Sequence, residues 1–208
     1  METCTPHQEK TGPARPPFQC VVIGGSAGAL TALNALTAVL APGFPVPLVC
    51  VIHLHPHSHT DTFVRALLAQ TSLLVKEADD KEALRPATLY LAPANYHLLI
   101  EQDRSLALSV DGKVNHSRPS IDVLFETAAL AYRDQLAGIL LSGASNDGAA
   151  GLRRIHDLGG KTLVQTPDTA EVPYMPQSAL AATETDAVLP PVEIGHWLNA
   201  RLARFFSP

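Results

Sequence analysis

The sequence has no excess of basic residues, no apolar run long enough to cross a bilayer and no cysteine framework, and each absence removes a class of function. With 15 Lys and Arg against 20 Asp and Glu, the net charge is -5. The basic stripe that a nucleic-acid binder presents is therefore missing. No apolar stretch reaches the roughly 20 residues of a transmembrane helix, and the N-terminus carries no charged-then-apolar signal sequence. A cytoplasmic protein without membrane insertion is implied. Cys4, Cys20 and Cys50 are odd in number and form no C-x-x-C pair. Cys20 and Cys50 sit in apolar runs and are expected to be buried free thiols, core filler in a reducing compartment rather than a disulfide or metal set. The chain also shows no internal repeat.

What is present is enough apolar material for one core: 208 residues, 46% hydrophobic and 17% charged, the size of a single domain. Residues 1–17 are rich in Pro, Thr, Gly and charge without periodicity, and read as a disordered lead-in to one folded domain over 18–208. Continuous apolar runs at 20–24, 48–52 and 137–141 alternate with helical stretches, the mark of a parallel sheet covered on both faces. Helices are expected over about 29–40, 60–70, 119–133, up to 158, 177–182 and 192–206. Further strands are expected at 73–78, 161–165 and 187–189. In the middle, the short runs 88–92, 96–101 and 105–110 suggest an antiparallel hairpin inserted beside the sheet. Ser120 is the expected N-cap of the helix that follows. The pattern predicts a doubly wound, mostly parallel α/β fold with helices on both faces.

The first strand runs into Gly24-Gly25-Ser26-Ala27-Gly28 and then into an Ala/Leu-rich helix. Glycines around Ser26 permit a sharp turn that lifts its hydroxyl above the strand end, as in a nucleophile elbow. The same turn could cradle a phosphate or be purely structural. It lacks the glycine that a dinucleotide fingerprint needs at Ser26, and no Lys-Ser/Thr pair follows to complete a P-loop.

In a doubly wound sheet, functional groups gather at the carboxyl ends of the strands. Ser26 follows the first strand, His53 ends the second, and Asp147 lies in the turn after the strand at 137–141. These are a nucleophile, a base to take its proton and a carboxylate to orient the base, the set required for acyl transfer. The chain order Ser, His, Asp differs from the Ser, Asp, His of an α/β-hydrolase.

With those segments in view, the chain resembles the catalytic domain of the chemotaxis protein-glutamate methylesterases, the CheB family, from about Gln19 to Arg201. The resemblance is carried by Val-Ile-Gly-Gly-Ser-Ala-Gly at 22–28, Val-Ile-His at 51–53, Val-Lys-Glu-Ala-Asp-Asp at 75–80, Leu-Tyr-Leu-Ala-Pro-Ala-Asn-Tyr-His at 89–97, His-Ser-Arg-Pro-Ser-Ile-Asp-Val-Leu-Phe at 116–125 and Leu-Ser-Gly-Ala-Ser-Asn-Asp-Gly-Ala-Ala-Gly at 141–151. It implies Ser26 as nucleophile, His53 as general base and Asp147 as its orienting acid. It also implies the backbone amide of Ala144 as an oxyanion donor, and no cofactor. The implied substrates are methylated glutamyl side chains on the cytoplasmic helices of chemoreceptors, with deamidation of receptor glutamines as the same acyl transfer. Where the family usually has threonine after the nucleophile, this chain has Ala27. Where it has Gly-Met-Gly before Asn-Asp-Gly, this chain has Gly143-Ala144-Ser145. The seventeen residues before Phe18 are too few for the family's receiver domain, so any regulation is expected to come from a separate partner or from access to receptors.

Other residues carry weaker signals. His53, His55, His57 and His59 alternate like a ligand row, but Pro56 interrupts the strand and no Cys or paired carboxylate completes a metal site. His97 and His116 lie in family-like segments and could equally be structural. Arg118 is a candidate for binding an acidic receptor group, or an ordinary loop arginine. Asp122, in a first helical turn, is expected to complement the helix dipole, and Asp79 and Asp80 to be a solvated charge run. Two other functions compete with the hydrolase. One is a catalytically weak receptor-binding or scaffold domain of the same fold, and the other is a nucleotide- or flavin-binding domain using the Gly24–Gly28 loop.

Overall fold

The computed structural model describes residues 15–53 and 70–206. The expected helix at 60–70, the alternating histidines 55, 57 and 59, and residues 1–14 of the expected tail lie outside them, apart from Gln70.

The strands are β1 (Cys20–Gly25), β2 (Leu48–Ile52), β3 (Leu74–Glu77), β4 (Thr88–Leu91), β5 (His97–Ile100), β6 (Leu106–Ser109), β7 (Leu136–Leu140), β8 (Lys161–Gln165) and β9 (Ala187–Leu189). The described helices are α1 (Ala29–Ala38), α2 (Ile121–Tyr132), α3 (Ala149–Asp157), α4 (Tyr174–Ala182) and α5 (Pro191–Leu202). Seven strands form one sheet in the order β3-β4-β2-β1-β7-β8-β9. All six pairings in it are parallel.

Every residue of β1, β2 and β7 is buried, because both faces of the sheet are covered. Side chains alternate between the two layers, as a strand's period of two requires. Val21, Ile23, Leu48 and Cys50 pack with Leu33 and Leu36 of α1 and Ile194 and Leu198 of α5. Cys20, Val22, Val49 and Val51 pack with Leu124 and Phe125 of α2, Leu152 and Ile155 of α3, and Met175 and Ala179 of α4. Cys20 and Cys50 are free and buried. Loss of hydration pushes both thiols up, that of Cys20 to about 12, so neither supplies a thiolate.

One expectation about the middle of the chain needs correction. β4 does not belong to the inserted hairpin: it lies in the parallel sheet between β2 and β3, and all four of its residues are buried. The hairpin is β5 with β6 alone, joined antiparallel outside the main sheet. The short apolar runs on either side of residue 93 look alike in sequence because both are buried.

Ser120 does occupy the N-cap position of α2, with φ -109° and ψ 138°, but its side chain makes no bond to its own helix. It is committed to the site described next.

From β1 the chain winds outward to β2 and on to the edge strand β3, places β4 between those two, then returns to lay β7 against the other side of β1. The strand order thus reverses at β1. The crevice at the carboxyl ends there is where α/β sheets place their chemistry.

Candidate active site

Ser26, His53 and Asp147 all stand at that crevice. Gly25 pairs with Ile52 in the β1/β2 register, and His53 N–H donates to the Gly25 carbonyl at 3.0 Å. Ser26 and His53 are therefore the next residues along two adjacent strands, whose spacing is about 4.8 Å. Ser26 N–H donates to the Ser142 carbonyl at 2.9 Å, and Leu141 N–H to the Gly24 carbonyl at 2.9 Å. These bonds fasten the Ser26 turn to the end of β7. The left-handed residue is Gly28, φ +76°, at the N-cap of α1. A Cβ there would strike Glu171 Cβ at 2.5 Å and Ser142 Oγ at 2.9 Å.

Ser142 is fully buried and secures this turn from below. Its hydroxyl donates to the Ala27 carbonyl at 2.7 Å and accepts the Val172 N–H at 2.9 Å. Its own N–H donates to Gln165 Oε1 at 2.9 Å. Neither Ser142 nor Gln165 was singled out in the sequence. Their one signal is that each is a polar side chain closing an apolar strand.

Asp147 is fully buried and accepts five hydrogen bonds. His53 Nε2 lies 2.8 Å from Oδ2, which also accepts the Ile121 N–H at 2.7 Å. Oδ1 accepts from Ser120 Oγ at 2.8 Å, Asn115 Nδ2 at 2.9 Å and the Asp122 N–H at 3.2 Å. Burial pushes this carboxyl up, but the bonds from His53, Asn115, Ile121 and Ser120 outweigh it and hold the group below the usual carboxylate range. Asp147 is a charged acceptor kept ready for an imidazolium. Because Nε2 is committed to Asp147, Nδ1 is the ring nitrogen left to act as base. Among the described residues no hydrogen bond joins Ser26 Oγ to His53, a contact that in hydrolases commonly tightens only with substrate.

A family model described as CheB methylesterase matches residues 21–198. The chain belongs to the CheB methylesterase family. A Leptospira interrogans relative is 45% identical over 172 residues, covering 83% of this chain and 89% of the relative. A Rhizobium meliloti protein named protein-glutamate methylesterase/protein-glutamine glutaminase of group 3 operon is 35% identical over 187 residues, covering 90% of this chain and 52% of that protein. The crystal structure of the Thermotoga maritima CheB methylesterase catalytic domain superimposes with a TM-score of 0.83 at 32% identity, covering 87% of this chain and 97% of that one.

Within this CheB domain the secondary candidates separate. Asp122 does more than face a helix dipole: it is buried, and its Oδ1 accepts the N–H groups of Gly148 at 2.9 Å and Gly151 at 2.7 Å. Its Oδ2 accepts from Asn115 Nδ2 at 2.7 Å. Burial, together with the neighbouring Asp147 charge, raises its carboxyl despite those bonds. His97 is buried and structural, with Nδ1 accepting the Ser120 N–H at 3.2 Å and Nε2 donating to the Gly112 carbonyl at 3.0 Å.

One guanidinium nitrogen of Arg118 is committed to the backbone. Its Nη1 donates to the carbonyls of Val110 at 2.6 Å and Asp111 at 2.9 Å, tying the loop 110–118 closed. Asp80 accepts the Leu108 N–H at 3.0 Å and so supports the hairpin, while Asp79 pairs with Lys76 at the surface. Asn115, missed in the sequence, bridges Asp122 and Asp147. No described helix is long and apolar enough to cross a membrane.

Proposed function

We propose that this CheB domain hydrolyses glutamyl methyl esters on the cytoplasmic helices of methyl-accepting chemoreceptors, acting in the cytoplasm through a Ser26 acyl-enzyme. The observation that carries the reading is the 2.8 Å bond from His53 to a buried, fully hydrogen-bonded Asp147, beside a serine on the neighbouring strand end. That is a base held in one tautomer with its counter-charge in place.

In the first half-reaction Ser26 Oγ attacks the ester carbonyl carbon while His53 Nδ1 takes the hydroxyl proton. The tetrahedral oxyanion is met by backbone N–H groups, with Ala144 the proposed donor. Ala144 is exposed beside the turn, and no described hydrogen bond uses its N–H. A backbone donor survives the Ala144 side chain, since the peptide group supplies the proton. Collapse breaks the bond to the methoxy oxygen, which leaves as methanol with the proton from His53. Water then attacks the acyl-enzyme with His53 again as base, restoring Ser26 and releasing glutamate. A glutamine side chain follows the same course with ammonia leaving.

The test is methanol release from methylated receptor by the parent chain and by Ser26→Ala, with labelling by a serine-directed phosphonate in parallel. Turnover and labelling that both depend on Ser26 establish the esterase. A folded chain that binds receptor but takes up no phosphonate would be a scaffold.

A further inference from the structure

We infer that the cavity beside His53 is a subsite for a carboxylate carried by the substrate polypeptide, with Lys113 and His116 as its contacts and Arg118 as its fixed positive base. The inference rests on the proposed esterase in one respect, that the carboxylate belongs to the chain bearing the ester.

The cavity, of about 130 Å³, is lined by His53, Asn95, Lys113, His116, Ser117 and Arg118. This is well below the roughly 300–1,000 Å³ of pockets that enclose drug-sized ligands. It takes a short side chain rather than a length of backbone. Among the described residues no acidic side chain lines it. The described acids beside these residues are already committed. Asp111 accepts the Ser109 hydroxyl at 2.7 Å, and Asp122 and Asp147 are both covered by Asn115.

The cations are not so committed. Among the described residues Lys113 enters no ion pair. Arg118 is bonded only to neutral backbone carbonyls, and its Nε is buried without a partner. A guanidinium cannot shed its proton to relieve this, so its charge stays beneath the cavity. The walls are held in shape: Val114 and Ser117 exchange backbone hydrogen bonds of 3.2 and 2.9 Å around Asn115 and His116, both in the left-handed region at φ 50° and 63°. Such backbone at a non-glycine residue is uncommon and clusters at ligand sites. A cavity that is cationic, small and shares His53 with the catalytic set suits a Glu or Asp side chain near the scissile ester.

The experiment uses synthetic peptides with one glutamyl methyl ester and one Glu at position −4, −3, −1, +1, +3 or +4, each against a Gln control. Binding to the Ser26→Ala chain, which leaves the ester intact, is measured beside turnover by the parent. At one or more positions the Glu peptide should bind roughly fivefold tighter, as for one partly exposed ion pair. The gain should appear in KM, vanish in Lys113→Gln and return in Lys113→Arg. Equal affinity of Glu and Gln peptides at every position overturns the subsite. A Glu preference in binding with no turnover of any peptide by the parent would leave the subsite standing and overturn the esterase.

Discussion

Asp122 and Asp147 each cap the helix start at which the other stands. Asp147, one residue before the N-cap of α3, accepts the first two N–H groups of α2, those of Ile121 and Asp122. Asp122, in the first turn of α2, accepts the N–H groups of Gly148 and Gly151 at the start of α3. Orphan donors at two helix starts are satisfied reciprocally, and the proposed catalytic acid is one half of the exchange. Asp122 is thus a positioning residue for Asp147.

In Asp122→Asn the new amide nitrogen would face either Asn115 or the two N–H groups, so one donor meets another. We expect a loss of about 1–3 kcal/mol in stability, read from denaturant midpoints, and a fall in kcat with little change in KM. Unchanged kcat would mean that Asp147 holds its place without its partner.

The two carboxylates should leave opposite marks on stability against pH. Asp122 is raised in the fold by burial, so its contribution is full below the unfolded value near 3.8 and fades as pH rises through the folded value. Asp147 is lowered despite burial, so its contribution is present above the unfolded value and is lost as pH falls through the folded one. Melting each Asn variant beside the parent from about pH 3 to about pH 7 should give, as pH rises, a shrinking deficit for Asp122→Asn and a growing one for Asp147→Asn. Parallel curves would show that neither group titrates differently in the fold.

For Asp147→Asn the expected loss of esterase rate is on the order of 10⁴-fold by analogy with other triads. Methanol release within tenfold of the parent would remove Asp147 from the mechanism.

Ser26→Ala should abolish methanol and ammonia release together, because both pass through one acyl-enzyme, while the melting curve stays near the parent's. A surviving deamidase in this variant would require a second nucleophile.

Ser142→Ala withdraws the hydroxyl that joins Ala27 to Val172 inside the protein. Leaving a buried carbonyl and N–H unmatched should cost about 1–3 kcal/mol and slow turnover by loosening the Ser26 turn. Denaturation and kcat measured on the same preparation will show both effects or separate them.

The sequence made the triad legible because each member directly follows or closely trails a continuous apolar strand, and such strands end at a known edge of the fold. It made β4 illegible as part of the main sheet, since a four-residue buried strand has no period by which to tell a parallel neighbour from a hairpin. The roles of Asn115 and Asp122 were hidden for another reason. Their bonds to the α3 turn span 26 to 32 residues of chain, and no local pattern records which loop an amide or a carboxylate will meet. Arg118 showed its charge in the sequence but not its two backbone carbonyls.

The reversal of strand order at β1 also governs when the enzyme comes alive. Ser26 and His53 belong to the half of the sheet made first, whereas Asp147 arrives 94 residues after His53 in the turn beyond the strand that seals the other side. During synthesis the early half carries a serine and a histidine with no acid behind them, and the acid's own cradle at the start of α2 is still empty. Under the proposed mechanism the emerging chain is an unarmed hydrolase, and completing the fold is what arms it.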